Sequence, residues 1–263
     1  MTTSLQAPRR DFETNVVGSF NLLEAAREVS PQSIIIYASS NKVYGGLTKL
    51  KLREDIFRYS SPSHPMGIDE TFSLDFQTPY GCSKGAADQY MLDYARVYGL
   101  QTIVLRHSTI YGGRQRATFD QGWVGWFCQQ ALETLSNPER KPFTISGNGK
   151  QVRDLLYVDD AVDCYLNAAY HAKIASGHAF NIGGGLENSC SLLELFQILE
   201  QILGVRLTYE TLSWRTSDQK FFVADVTKAA SFLKWKPVTP RIQGIEKTLD
   251  WCRSVLRIQK NDL

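Results

Sequence analysis

The sequence has 263 residues, 43% of them apolar, and at about 150 residues per domain this length describes one large domain or two interleaved ones with a substantial core. Lys and Arg number 29 against 27 Asp and Glu, a net charge of +2, so the overall balance attracts neither nucleic acid nor an anionic membrane. Five cysteines without C-x-x-C spacing argue against both a disulfide framework and a zinc site.

No apolar run approaches the roughly 18 residues of a membrane span, and the polar start MTTSLQAPRRDF has no signal-like core. A cytoplasmic location with reduced thiols is expected. Apolar residues at helical spacing (Phe12, Val16, Phe20, Leu23, Ala26) predict a helix from Asp11. Ser33 to Ala38 follows as an unalternated β-branched run, of the kind buried on both faces of a parallel sheet. A polar connection, Asn41 to Pro79, leads to a helix Tyr80 to Tyr98 closed by Gly99, and then to a strand Thr102 to Arg106. Beyond Tyr111 the spacing predicts a helix from about Gln121 to Leu135, a short strand Phe143 to Ile145, a glycine turn Gly147 to Gly149 and a strand Val152 to Val158. A helix Asp159 to Lys173 and a strand His178 to Ile182 restore the alternation of an α/β fold. Ser191 with Glu194 three residues on predicts a capping box opening a helix to Leu203. A strand Arg206 to Glu210, a short helix Val226 to Leu233 and a last helix opening at Thr239-Pro240 complete the chain.

Tyr80 and Lys84 stand four residues apart and share one helix face, which places an ammonium near a phenol. Ser40 closes the first apolar strand, and strand carboxyl ends are where open α/β sheets put their ligands. Gly81-Cys-Ser-Lys-Gly85 also fits the G-x-S-x-G nucleophile elbow, but that motif needs a strand leading into the serine, and Pro79 stands in the way. Arg153 and Arg215, the latter near Asp218, are suited to grip a diphosphate bidentately, and Trp123 with Trp126 to stack on a base or pack in a core. The four histidines lack metal-ligand spacing, so no metal site is expected. No G-x-G-x-x-G follows a strand in this sequence.

Taken together, YASSNKVYG, PYGCSKGAADQYMLDYARVYGL, RHSTIYGGRQ, DQGWVGWFCQQ, FTISGNGKQVRDLLYVDD and SDQKFFVAD resemble the extended short-chain dehydrogenase/reductase family of nucleotide-sugar epimerases and dehydratases. Within it they resemble the enzymes that invert C2 of CDP-linked 3,6-dideoxyhexoses. The resemblance implies a Rossmann-like doubly wound parallel sheet with a smaller interleaved α+β substrate domain. Residues 1–113 and 151–185 would form the NAD-binding part, and 114–150 and 186–263 the nucleotide-sugar-binding part. It implies NAD as cofactor, a CDP-linked deoxysugar as substrate, no nucleic-acid or membrane partner, and a homo-oligomer. Ser40, Tyr80 and Lys84 would be the catalytic set; Asn15, Ala38, Ser39, Tyr80, Lys84 and His107 would face the cofactor; Thr109, Gln121, Trp123, Arg153, Arg215 and Asp218 would face the substrate.

The sequence departs from the family pattern at its start, which matches the family from the segment before the fourth sheet strand. The expectation is therefore a sheet lacking its first three strands, with Ile34 to Ile36 on an exposed apolar edge. Two further readings stay open: another NAD-dependent nucleotide-sugar epimerase or dehydratase, and a non-catalytic remnant that binds nucleotide sugar.

Overall fold

The computed structural model describes residues 2–261. Short helical segments, Thr2–Gln6 and Pro8–Asp11, and a π-helical stretch, Phe12–Val17, run into α1 (Gly18–Val29). The expected apolar stripe is split: Leu23 and Ala26 are buried, whereas Phe12 and Phe20 are exposed. A π turn holds an extra residue and rotates Phe12 out of line with Leu23 and Ala26, while Phe20, beyond it, meets Tyr90 and Tyr94 edge-on at the border of the buried face.

β1 (Ile34–Ser40) leads through a long connection to α2 (Thr78–Tyr98) and β2 (Gln101–His107); β3 (Thr109–Tyr111), α3 (Trp123–Ser136), β4 (Phe143–Ser146), β5 (Val152–Tyr157), α4 (Val158–Tyr170) and β6 (His178–Ile182) follow. The remainder comprises β7 (Ser189–Ser191), α5 (Leu192–Leu203), β8 (Tyr209–Leu212), β9 (Phe221–Phe222), α6 (Thr227–Leu233) and α7 (Arg241–Asn261).

Strands β1, β2 and β6 form a parallel sheet in the order β1-β2-β6. Both of its faces are covered, because successive strand residues point to opposite sides. Val104 packs with Leu23, Met91 and Tyr94 of α1 and α2. Ile103 and Leu105 pack with Cys164, Ala168 and Leu233 of α4 and α6. This is the doubly covered α/β layer that the unalternated apolar strands predict. Among the described residues β1 pairs only with β2. The expected exposed edge is narrower than the sequence suggests: Ile34 is 43% exposed, but Ile35 is buried under α1.

A second sheet joins β3, β5 and β9 in parallel, with β7 antiparallel to β5. A separate parallel pair links β4 to β8. Helices α3, α5 and α7 close over these strands, and Phe127, Phe143 and Phe196 contact one another at 4.9–5.5 Å. The capping box at Ser191 and Glu194 is present. So is the left-handed glycine at 99, with φ +70°.

Two elements differ from the sequence expectation. The strand expected at Arg206 to Glu210 is β8, Tyr209–Leu212. The Leu207 amide is diverted to Glu200 Oε1 at 2.8 Å, and pairing begins only where Tyr209 meets Phe143. The helix expected to reach Lys173 stops at Tyr170, turns at His171 and resumes as a short segment, Ala172–Ala175.

Candidate active site

The parallel strands β1 and β2 end side by side, with Ser40 opposite His107. Ser40 caps the short turn Asn41–Tyr44, its hydroxyl accepting from the Lys42 amide at 3.2 Å. The first turn of α2 docks against that turn. A Cβ on Gly81 would lie 3.1 Å from the Lys42 carbonyl oxygen, so the close approach depends on glycine. Thr78, at the start of α2, has φ +64°, a left-handed backbone that costs a β-branched residue on the order of 1–3 kcal/mol. Its Oγ1 accepts from the Gly81 amide at 3.3 Å and so holds the helix start. Strain is thus stored two residues before Tyr80.

Burial raises the pKa of the Tyr80 phenol; a hydrogen bond with Ser40 opposes this, and the negative charge of Asp11 reinforces it. The Lys84 ammonium donates to the Ala38 carbonyl at 3.0 Å and lies 5.1 Å above the Tyr37 ring. Burial lowers its pKa, and Asp11 partly compensates through space. Lys84 follows Tyr80 by one turn of α2, but the group that lowers the Tyr80 pKa is Ser40. His107 Nε2 is 2.8 Å from Tyr165 Oη. Burial and the Lys84 charge push His107 down to about 4, so the imidazole is neutral at neutral pH.

Asn15 donates to Ser83 Oγ at 3.0 Å, fastening the π-helical stretch to α2. Ser39 faces away from this corner. Its hydroxyl donates to Asp88 at 2.7 Å, and Asp88 pairs with the buried Arg106 at 2.8 Å. What Ser39 offers toward the strand end is therefore main chain. Ser83 sits inside α2 and donates to the Tyr80 carbonyl at 3.0 Å, which removes the nucleophile-elbow reading.

Ser40 and Tyr80 open on a cleft of 670 Å³, within the range of small-molecule sites. Arg153, Arg215 and Asp218 line the same cleft, brought together from β5 and from the loop between β8 and β9. Arg153 pairs with Asp218 at 2.9 Å. Arg215 donates to Ser146 Oγ at 3.2 Å and lies 5.2 Å above the Phe119 ring. Lys42 completes this wall, 3.8 Å from Asp218. Burial and the neighbouring Arg153 lower Lys42 to about 8, Asp218 opposing and Arg215 assisting. Lys42 and Arg153 share Asp218, and Arg215 faces Asp120 at 3.7 Å, so three cations meet two carboxylates on this wall, an arrangement suited to an anion.

Thr109, Gln121 and Trp123 also line the cleft, and the Trp123 indole donates to Thr109 Oγ1 at 3.3 Å. The lining does not include Asn15, Ala38, Ser39, Lys84 or His107; these gather around the ends of β1 and β2 and the start of α2. Sequence reasoning missed Lys42, Ser146, and the hydrogen-bonded pair Ser4 and Asp11, all of which line the cleft. A lysine two residues beyond a strand end was the available signal for Lys42.

Residues 1–183 match the model of the NAD dependent epimerase/dehydratase family. The chain belongs to this family. It is 53% identical to CDP-paratose 2-epimerase from Salmonella typhi over 97% of the chain and 75% of that protein. It is 30% identical to a putative UDP-glucose 4-epimerase from Methanocaldococcus jannaschii over 95% of the chain and 73% of that protein. Among solved structures it superposes with UDP-glucose 4-epimerase from Thermotoga maritima with UDP-glucose, at a TM-score of 0.80 and 29% identity, covering 97% of this chain and 74% of that one. UDP-glucuronic acid 4-epimerase from Bacillus cereus, in complex with UDP-glucuronic acid and NAD, gives a TM-score of 0.76 at 27% identity, covering 92% and 68%.

NAD is the family's cofactor, and the corner built by β1, β2 and α2 fits its nicotinamide end. Lys84 spends one hydrogen bond on Ala38 and has three donors. Tyr80 and Ser40 stand at the carboxyl end of the sheet, where such cofactors bind, and the neutral His107 adds no second positive charge beside a cationic ring.

Proposed function

We propose that this NAD-dependent nucleotide-sugar epimerase inverts C2 of a CDP-linked 3,6-dideoxyhexose, interconverting CDP-paratose and CDP-tyvelose through a transient 2-keto sugar. The observation that carries this reading is the 53% identity to CDP-paratose 2-epimerase across 97% of the chain, against 28% to UDP-glucuronate 4-epimerase from Thermodesulfobacterium geofontis. In this reading the catalytic set is Ser40, Tyr80 and Lys84. Asn15, the main chain of Ala38 and Ser39, Lys84 and His107 contact the cofactor. Residues 1–113 and 151–185 serve NAD, and residues 114–150 and 186–263 serve the nucleotide sugar.

NAD held by Asn15, the Ala38 and Ser39 main chain, Lys84 and His107 would supply reversible hydride acceptance from C2. Tyr80 Oη takes the proton of the C2 hydroxyl and later gives it back to the ketone oxygen. Ser40 donates a hydrogen bond to that same oxygen and lowers the cost of the phenolate, as its effect on the Tyr80 pKa supports. The partly desolvated Lys84 ammonium is held at Ala38, one helical turn from Tyr80, where its remaining donors are offered to the cofactor. Inversion requires the sugar to present both faces while the rest of the substrate stays put. Arg153, Arg215 and Lys42 grip the diphosphate for that purpose, and Asp218 orients Arg153. Thr109, Gln121 and Trp123 line the path of the nucleotide sugar. The same reading includes self-association through α1 and α2, where Phe20, Tyr90 and Tyr98 are exposed; sedimentation gives the mass that tests it.

Proton NMR of the protein incubated with NAD and CDP-paratose tests the assignment. The expected result is an approach to a mixture of C2 epimers without accumulation of reduced cofactor. Inversion at C4, dehydration, or no conversion would contradict it.

A further inference from the structure

Ser40 is held from behind by a chain of hydrogen bonds that ends on main-chain carbonyls. Gln219 is fully buried and lies outside the lining of the cleft. Its Nε2 donates to the Gly45 carbonyl at 2.7 Å and to the Asn41 carbonyl at 3.2 Å. A carbonyl can only accept, so the amide cannot turn over and Oε1 is fixed as an acceptor. Asn41 Nδ2 donates to that oxygen at 3.0 Å, which in turn fixes Asn41 Oδ1 as the acceptor that the Ser40 hydroxyl meets at 3.3 Å. The direction of every bond from Gly45 to Ser40 is thereby set. With the Lys42 amide donating to Ser40 Oγ at 3.2 Å, the hydroxyl has a defined side for its proton and one lone pair over. The bond to Asn41 is long for a hydroxyl donor, so it aims the proton while releasing it at little cost to a stronger acceptor.

We infer that Gln219 is a positioning residue for the reaction: by fixing the Asn41 amide it presents the Ser40 hydroxyl to the reacting oxygen. The inference rests on the proposed catalytic role of Ser40 and deepens it by naming what aims that hydroxyl. Without Gln219 the Asn41 amide is free to turn over and offer Ser40 its Nδ2 donors, which leaves the hydroxyl without the acceptor that orients it. The neighbours of Gln219 serve the other wall. Asp218 pairs with Arg153, and the Ser217 carbonyl accepts from Lys42 Nζ at 3.3 Å. One loop, between β8 and β9, thus carries both a carboxylate of the cationic wall and the amide that serves the reacting hydroxyl.

A double-mutant cycle on the kcat of C2 epimerisation tests this, with kcat referred to the CDP-binding sites counted by calorimetry so that any unfolded fraction drops out. Gln219→Met removes the amide at nearly constant length and should lower kcat by about threefold to tenfold, with CDP affinity held within about twofold. In a Ser40→Ala background the same substitution should change kcat by less than about twofold, because the hydroxyl it aims is gone. Asn41→Ala, a milder change at the next link, should show the same dependence on Ser40. A Gln219→Met effect of equal size with and without Ser40 marks a merely structural role and overturns the inference. An unchanged kcat, or a loss confined to CDP affinity, overturns it too. Undiminished kcat in Ser40→Ala, or no epimerisation by the unsubstituted chain, overturns instead the reading on which the inference rests.

Discussion

The two walls of the cleft are built on opposite electrostatic plans. On one side Ser40 and Tyr80 line it, the Tyr80 pKa raised by burial, and the imidazole of His107 at the adjoining strand end is neutral. Across the cleft Arg153 and Lys42 share Asp218, and Arg215 stands by Asp120. The contrast teaches a division of labour. In the proposed function, proton movement needs a group whose protonation state changes during turnover, whereas holding a diphosphate through a sugar rotation needs charge that persists through it, permanent on the two arginines and present on Lys42 below about 8.

The largest effect expected on this contrast is at Tyr80. Tyr80→Phe should lower the rate of epimerisation by about a thousandfold or more, while CDP affinity by calorimetry stays within about twofold. A parallel loss of CDP binding would erase the distinction between the walls. Next comes Arg215→Met, which removes charged hydrogen bonds and should weaken CDP by about tenfold to a hundredfold; its kcat should fall far less than that of Tyr80→Phe. A smaller effect, about tenfold in kcat, is expected of Ser40→Ala as the loss of one hydrogen bond to the reacting oxygen. Because the Ser40 bond lowers the Tyr80 pKa, its removal should also move the rising limb of the pH-rate profile to higher pH. The smallest is a slope. Lys42 carries its charge below about 8 and loses it as pH rises through that value, so CDP affinity should fall by a few-fold in all as pH rises past it. Lys42→Met should bind CDP a few-fold more weakly at pH 7 and flatten that dependence; a slope unchanged by the substitution would take Lys42 out of the anion site.

How much of this was legible in the sequence differs between the walls for a physical reason. The placing of the proposed reacting corner was readable because it depends on local periodicity: an apolar strand ending at Ser40, and Tyr80 and Lys84 one turn apart on a single helix. The doubly covered sheet followed from the same strands, which bury both faces and therefore do not alternate. Arg153 and Arg215 were singled out by residue type, but their convergence comes from β5 and the loop before β9 meeting through contacts distant in the chain, which no short window contains. Lys42 was missed because its significance is the company it keeps. The orientation of Ser39 into the Asp88 and Arg106 pair was equally hidden, since adjacent strand residues point oppositely and one register step decides which faces the site. The π-helical stretch at Phe12–Val17 broke the helical spacing that made the first element look regular.

The central claim is that one hydrogen leaves C2 and returns to the same carbon on the other face. CDP-paratose carrying deuterium at C2, incubated with the protein and NAD in ordinary water and followed by NMR, tests it directly. The account predicts a C2-inverted product that retains its deuterium. Exchange of that deuterium for solvent hydrogen during inversion, or inversion at a different carbon, would contradict it.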